Sequence, residues 1–437
     1  MGKSTAMALN RIEWALWAKG YPMQQARRDM AALHGLSADE FQRWRQQRRW
    51  EMVSHHFENN AAYRRLFTGE KLPEKWEDLP VIQKKHLQGD PETLLSRPYR
   101  RAQVHIGSTS GSSGHPFFYA QDKYAPAMTY ALIAERYGRH GLAPGQKQAR
   151  FYGIPLEGHS ARMERWKDRI AGRTRFPVFD LSEQKLAVYL EAFSRKNFEQ
   201  IYGYASALVQ FALFLKRQKV VLTAICPALR ACITTSEMCS PADMDLLREV
   251  FGVPVLNEYG ASELDVIAFP DKQGNWILSE ENLYIEVLDE DNRTLAPGRE
   301  GRIIVTALHN RAYPMLRYEL GDLGAIADGR LLQLSGRSND LILLPGGKVA
   351  AGLTFYYIAR QLLESGGGLR EFIIRQTAPD TFELDVVSSS PIQSAQTAQI
   401  QAAMDLYLEK NLRLVIHPVE RIERPASGKI RHFYRQF

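Results

Sequence analysis

Residues 6–59 carry apolar side chains at mixed spacings of three and four with few breakers, the period of helices. Two strand-like runs follow, 103–106 and 115–119, separated by a segment of glycine and hydroxyl residues. Residues 124–137 read as a helix, Gly141 to Gly145 as a turn and 148–152 as a short strand. From there the period switches regularly: helix 182–196, strand 199–202, helix 205–218, strand 231–235, helix 241–251, strand 254–257. Such alternation predicts layered α/β structure, because each helix must cover a sheet face. Beyond Tyr259 the runs 283–288 and 302–307 alternate apolar and polar residues between turn clusters, which predicts an antiparallel sheet or small barrel. A boundary falls near Gly336. Past it come strand 341–344, a turn at Pro345-Gly346-Gly347, helix 353–364, strands 371–376 and 381–387, helix 392–410, strand 413–418 and a basic tail. About a hundred residues suffice for a separate α+β unit.

A chain of 437 residues exceeds one ordinary domain, and 45% hydrophobic with 24% charged residues is ordinary for a globular protein. The expected division is 1–338 and 339–437. Net charge is +7, with basic clusters at 43–49, 64–65, 84–85 and 97–101. No aromatic stacking pattern or nucleic-acid motif accompanies them, so a solvated helical face is expected and nucleic acid is not. Cys226, Cys232 and Cys239 lie six and seven apart without a C-x-x-C pair or nearby histidine, which predicts reduced core thiols rather than a metal site. The first twenty residues interleave charge with apolar positions, and the apolar stretch 201–215 is too short to span a bilayer. A cytoplasmic protein without membrane partners is expected.

Ser108-Thr109-Ser110-Gly111-Ser112-Ser113-Gly114 is the first candidate site. Hydroxyls and main-chain N–H groups donate to phosphate oxygens, and glycines let backbone approach a ligand closely. Four further islands follow in order: Asn257-Glu258-Tyr259-Gly260-Ala261-Ser262-Glu263; Arg317-Tyr318-Glu319-Leu320-Gly321-Asp322; Gly336-Arg337-Ser338-Asn339; and Arg424-Pro425-Ala426-Ser427-Gly428-Lys429. Together they resemble the adenylate-forming superfamily, which joins carboxylic acids to AMP. The 108–114 loop, Gly203-Tyr204-Ala205-Ser206 and Thr235-Ser236-Glu237 resemble its phenylacetate–coenzyme A ligase-like branch. The resemblance runs from about Leu79 to the C-terminus.

That resemblance implies a large N-terminal adenylation domain with a small antiparallel subdomain, and a small mobile C-terminal domain hinged at Asn339. It implies an ATP- and Mg²⁺-dependent ligation of an acid, expected to be aromatic, to coenzyme A through acyl-AMP. Lys429 would bridge the carboxylate and the α-phosphate, where a cation offsets like-charge repulsion. Glu263 would hold Mg²⁺, Tyr259 would lie along the adenine, Gly260 would belong to the same adenine, ribose and phosphate site, and Ser262 would donate to the α-phosphate. Asp322 would accept from the ribose hydroxyls, and Arg337 would support ribose or phosphates. Tyr152, Gly153, Tyr204, Ala205, Ser236 and Glu237 would wall the acyl pocket, with Glu237 meeting an amino or hydroxyl substituent. The loop at Gly346-Gly347 would enter the site for thiol transfer.

Departures from the family pattern are His115 where lysine is common, Asn339 where Asp or Lys is usual, and residues 269–277 without Cys or His, so no zinc is expected. The alternatives are an acyl carrier protein or an amine as acceptor, and a degenerate nucleotide-binding protein. Oligomeric state stays open, a homodimer included. Lys429→Ala should abolish acid-dependent ATP–pyrophosphate exchange while leaving acyl transfer from synthetic acyl-AMP largely intact. Equal loss of both activities would refute the role given to Lys429.

Overall fold

Three helices, Arg11–Ala18, Met23–His34 and Ala38–Asn59, open the chain as their period demands. The third begins with a capping box in which the Ser37 hydroxyl accepts from the Glu40 N–H and the Glu40 carboxylate accepts from the Ser37 N–H. These observations come from a computed structural model, which describes residues 11–67, 69, 71–108, 117–152, 166–178, 181–337, 341–347, 349–351, 369–423 and 433–437. An antiparallel pair, β1 (Val104–Ser108) and β2 (Phe118–Asp122), brackets the glycine-rich segment, with Ser108 opposite Phe118.

The alternating middle of the chain builds a five-stranded, fully parallel sheet. Its strands are β3 (Gln148–Phe151), β4 (Arg173–Phe176), β5 (Gln200–Tyr204), β6 (Ala231–Thr235) and β7 (Val255–Asn257), in the order β4-β3-β5-β6-β7. Helices Glu183–Arg195, Ala205–Arg217 and Pro241–Phe251 bury Phe193, Phe211 and Phe251 against one face, with Phe151, Ile201 and Cys232. Tyr137, from helix Tyr124–Arg139, packs on the other face with Ile233 and Leu256. Gly203 is obligatory at its place in β5: a Cβ there would stand 2.7 Å from Phe151 Cβ and from its carbonyl oxygen. Strand β4 has no sequence signal, because Arg173 and Arg175 interrupt its apolar pattern. It lies at the sheet edge, where polar side chains are tolerated.

Strands β8 (Tyr259–Ala261), β9 (Asp265–Pro270), β10 (Trp276–Leu278), β11 (Leu283–Leu288), β12 (Gly301–Ala307), β13 (Tyr318–Ala327) and β14 (Arg330–Arg337) form one seven-stranded antiparallel sheet. The C-terminal part has its own core. Strands β15 (Leu341–Leu343) and β16 (Val349–Ala351) pair antiparallel. Four more, β17 (Leu369–Ala378), β18 (Thr381–Ser388), β19 (Arg413–Pro418) and β20 (Phe433–Arg435), make a mixed sheet. Phe372, Ile374 and Leu384 pack there with Ile400 and Met404 of helix Ser394–Tyr407. The end of the expected basic tail is thus a strand, paired in parallel with β17. Helix 353–364 lies outside the described residues.

The basic run 43–49 departs from the expected solvated face. Arg45 pairs with Glu280 at 2.9 Å, Arg48 donates to the Leu308 carbonyl, and Arg49 lies over the rings of Trp76 and Tyr284 at 4.3 and 4.4 Å. Guanidinium planes stack on aromatic faces and are weakly hydrated, which lets them turn inward where ammonium groups would not. All three cysteines are buried. Among the described residues, no helix is long and apolar enough to cross a membrane.

Two buried histidines tie the N-terminal layers to the antiparallel sheet. His56 donates from Nε2 to the Asn310 carbonyl at 3.0 Å and accepts at Nδ1 from the Ser96 hydroxyl at 2.7 Å. Burial pushes it down to about 3, and burial pushes His309 down to about 4. Each stays neutral in the folded protein but gains a proton on unfolding below its ordinary value near 6.5. Their stabilisation is therefore complete above that pH and falls as pH drops towards the folded values, by about 1.4 kcal/mol per pH unit per histidine. Urea unfolding at pH 7, 6 and 5 should show this loss, and His56→Gln should make it shallower. An unchanged pH dependence in that variant would refute the assignment.

Candidate active site

Parallel strands leave their carboxyl ends open to ligands, and the expected site residues gather at those ends. Tyr152 follows β3, Tyr204 ends β5 and Ser236 follows β6 with φ of 67°. The Tyr152 and Tyr204 rings lie 4.2 Å apart, and the Tyr152 hydroxyl is 3.2 Å from Ser236 Oγ. Ala205 is buried at the start of its helix. Glu237 takes a structural partner: its carboxylate accepts the Ser206 N–H at 2.8 Å, in the first turn of that helix, where a negative charge is stabilised. Gly153 lies outside the described residues.

The nucleotide islands meet on the antiparallel sheet. The Tyr259 hydroxyl donates to Asp322 Oδ2 at 2.7 Å, joining β8 to β13 across 63 residues of sequence. The Tyr318 hydroxyl donates to Glu263 Oε1 at 3.1 Å, and the Tyr318 ring stacks on Phe117 at the edge of the glycine-rich segment. Tyr119, whose ring crosses Gly107 so closely that a Cβ there would stand 2.4 Å from it, donates its hydroxyl to the Ser262 carbonyl at 2.5 Å. The base of the 108–114 loop is thereby clamped to the Ser262-Glu263 turn. Gly260 has no room for a side chain, since a Cβ would stand 2.4 Å from the Asp265 carbonyl oxygen. Arg337 lies opposite Asp322 in the β13–β14 ladder.

Arg317, at the head of its island, is 1% exposed. Its Nη1 donates to the carbonyls of Glu77 and Leu79 at 3.0 and 2.6 Å, and its Nε is 3.5 Å from a Glu286 carboxylate oxygen. It fixes the strand that presents Asp322.

A divalent cation fits here in one way. Glu263 is a buried carboxylate, and burial with the Glu263 charge nearby pushes Asp265 up to about 6. No group of three potential metal ligands occurs among the described residues. Mg²⁺ is commonly held by one or two carboxylates and completed by substrate phosphates and water, and Glu263 suits that arrangement.

Thr109 to Gly114, Asn339 and Lys429 lie outside the described residues. Gly346 and Gly347 are tied to the C-terminal part, the Gly346 N–H donating to Glu409 at 3.1 Å.

The sequence reading assigned no role to the most connected polar group of the region. Glu258, between β7 and β8, is 7% exposed. Its Oε1 accepts from Tyr202 at 2.9 Å and from Thr235 at 3.2 Å, and its Oε2 accepts from Tyr137 at 3.1 Å. Burial pushes its pKa up, against the three hydroxyls and the Arg150 charge. Arg150 in turn lies between the rings of Tyr152 and Tyr202 at 4.8 and 4.7 Å. The available signal was a pair of charged residues in strands whose neighbours are apolar.

No family profile matches the chain. It is similar to phenylacetate-coenzyme A ligase of Escherichia coli (strain K12), 26% identical over 337 residues, covering 71% of this chain and 74% of the relative. The corresponding ligase of Thermus thermophilus is 24% identical, covering 72% and 74%. In fold it is similar to 2-hydroxyisobutyryl-CoA ligase in the postadenylation state with 2-HIB-AMP, at a TM-score of 0.69 and 19% identity, covering 92% of this chain and 90% of that one. The anthranilate CoA ligase AuaEII in complex with anthranoyl-AMP gives 0.54 and 18%, covering 77% and 67%. The ordered islands, their junction on two sheets and these relatives together support the adenylate-forming superfamily and, within it, the AMP-forming acyl–coenzyme A ligases of the phenylacetate–coenzyme A ligase-like branch.

Proposed function

We propose that the chain activates an aromatic carboxylic acid as acyl-AMP and transfers the acyl group to coenzyme A. The observation that carries this reading is the Tyr259–Asp322 contact beside the Tyr152–Tyr204 wall. It supports a ribose acceptor on the antiparallel sheet and an aromatic acid-binding surface at the carboxyl ends of the parallel strands, the two sheets following one another in the chain at β7 and β8. Asp322 accepts the ribose hydroxyls, its carboxylate oriented by Tyr259. The donors of Ser108 to Gly114 serve the triphosphate together with Ser262 and Glu263. When bound, Mg²⁺ on Glu263 neutralises phosphate charge.

Lys429 supplies the cation between carboxylate and α-phosphate, from a segment bracketed by residue 423 and strand β20. Residues 339–437 act as a mobile domain turning at Asn339, which brings Gly346-Gly347 to the acyl-adenylate for thiol attack. The separate C-terminal core supports that division. Coenzyme A is favoured over an acidic carrier protein as acceptor, because Arg45, Arg48 and Arg49 are engaged inside the protein and do not form a docking face.

ATP–pyrophosphate exchange with substituted benzoates, phenylacetates and fatty acids tests the first half. Exchange is expected with aryl acids, and free coenzyme A should then consume preformed acyl-AMP faster than holo-carrier or amine does. Silence across the panel, with ATP still bound, would overturn the reading in favour of a nucleotide-binding protein without catalysis.

A further inference from the structure

Burying a carboxylate costs several kcal/mol unless hydrogen bonds and opposite charge compensate it. Glu258 is compensated, but by hydroxyls rather than by a direct ion pair. Tyr137, Tyr202 and Thr235 donate three hydrogen bonds to it, whereas a carboxylate has about four acceptor positions. Arg150 influences Glu258 through space without reaching it in a salt bridge. Among the described residues the guanidinium of Arg150 makes no hydrogen bond; it is held by the faces of Tyr152 and Tyr202, and its Nε is buried without a partner. A donor-rich cation and an acceptor with spare capacity therefore share one tyrosine framework.

That framework continues into the acid-binding wall. Tyr202 stacks on Tyr152 with centroids 6.1 Å apart, and Tyr152 packs on Tyr204 and meets Ser236. An aryl group lying on Tyr152 and Tyr204 has Arg150 and Glu258 at the margin of the same ring cluster. A hydrophobic acid leaves both polar groups without a new partner. Charge narrows the choice further. A second carboxylate on the substrate is repelled by Glu258, and an ammonium group by Arg150. A neutral hydroxyl both donates and accepts, so it satisfies the two together.

We propose that Glu258 and Arg150 are specificity-determining residues that select an aryl acid bearing a ring hydroxyl, which donates to Glu258 and accepts from Arg150. This rests on the acid-activating reading and names its substrate class. Sites built to hydrogen-bond a substrate hydroxyl reject the analogue lacking it strongly, because their own polar groups are then left unpaired.

The test compares kcat/KM for ATP–pyrophosphate exchange with benzoate against 3- and 4-hydroxybenzoate, and phenylacetate against 4-hydroxyphenylacetate, on the full chain. At least one hydroxylated acid should exceed its parent by about tenfold or more, chiefly through KM, with 4-(aminomethyl)benzoate, whose amine is an ammonium group, and terephthalate both poorer. Glu258→Gln and Arg150→Met should each shrink the hydroxyl-to-parent ratio to within about threefold. A purely structural role would lower both acids together and keep the ratio, and that result overturns the proposal. The comparison in the unmodified protein stands whether or not the variants fold. Parent acids activated as well as every hydroxylated one would overturn this inference and leave acid activation standing. Exchange with no acid at all would overturn acid activation and this inference with it.

Discussion

Between Asn257 and Tyr259 the chain passes from a parallel sheet to an antiparallel one in a single residue, and the rest of the site depends on that crossing. Extended backbone alternates side chains between faces. Asn257 and Tyr259 therefore point one way and Glu258 the other. The Glu258 N–H donates to the Thr234 carbonyl, extending β6 pairing to the last possible residue, and the Trp276 indole donates to the Asn257 carbonyl from the antiparallel side. The carboxylate of Glu258 is then received by three hydroxyls from the helix and strands beneath it. With the crossing held from both sheets, Tyr259 meets Asp322 in one sheet while Tyr152 and Ser236 meet at the carboxyl end of the other.

Charge is used structurally in this molecule to a degree its net value conceals. Arg317 is almost fully buried and donates to carbonyls of the connector before β1, so the strand carrying Asp322 is anchored by a guanidinium rather than by apolar packing alone. Arg136 makes two contacts with Glu281, at 2.8 and 3.0 Å, and Arg45 pairs with the adjacent Glu280. Buried pairs of this kind are costly to break, because the surviving partner is left desolvated. They fasten helices Ala38–Asn59 and Tyr124–Arg139 to the segment between β10 and β11 of the sheet that bears the nucleotide islands.

Much of the architecture was legible because it is local. Helices 182–196, 205–218 and 241–251 and the strands between them follow from period alone, and they agree with the observed elements to within a few residues. Strand β4 was not legible, since Arg173 and Arg175 are acceptable only at a sheet edge, and edge position is a property of the assembled sheet. The inward turn of Arg45, Arg48 and Arg49 was hidden for a related reason. A helix period does not say which charged side chains find an aromatic face. Among expected pocket residues, Tyr152, Tyr204 and Ser236 come together, whereas Glu237 caps a helix and Glu258 occupies the buried polar position.

What the sequence by itself determined is the kind of chemistry: islands of glycine, hydroxyl and acidic residues in a fixed order along the chain. Side-chain type and spacing along the chain set those features before any long-range contact forms. Only the tertiary structure decided which polar groups are partners. Tyr259 with Asp322, Tyr318 with Glu263 and Glu258 with Tyr137 and Tyr202 are separated by 55 to 121 residues, and a hydrogen bond forms only when packing brings its two atoms within about 3 Å. Linear sequence carries the donors and acceptors; the crossing of two sheets selects the pairs.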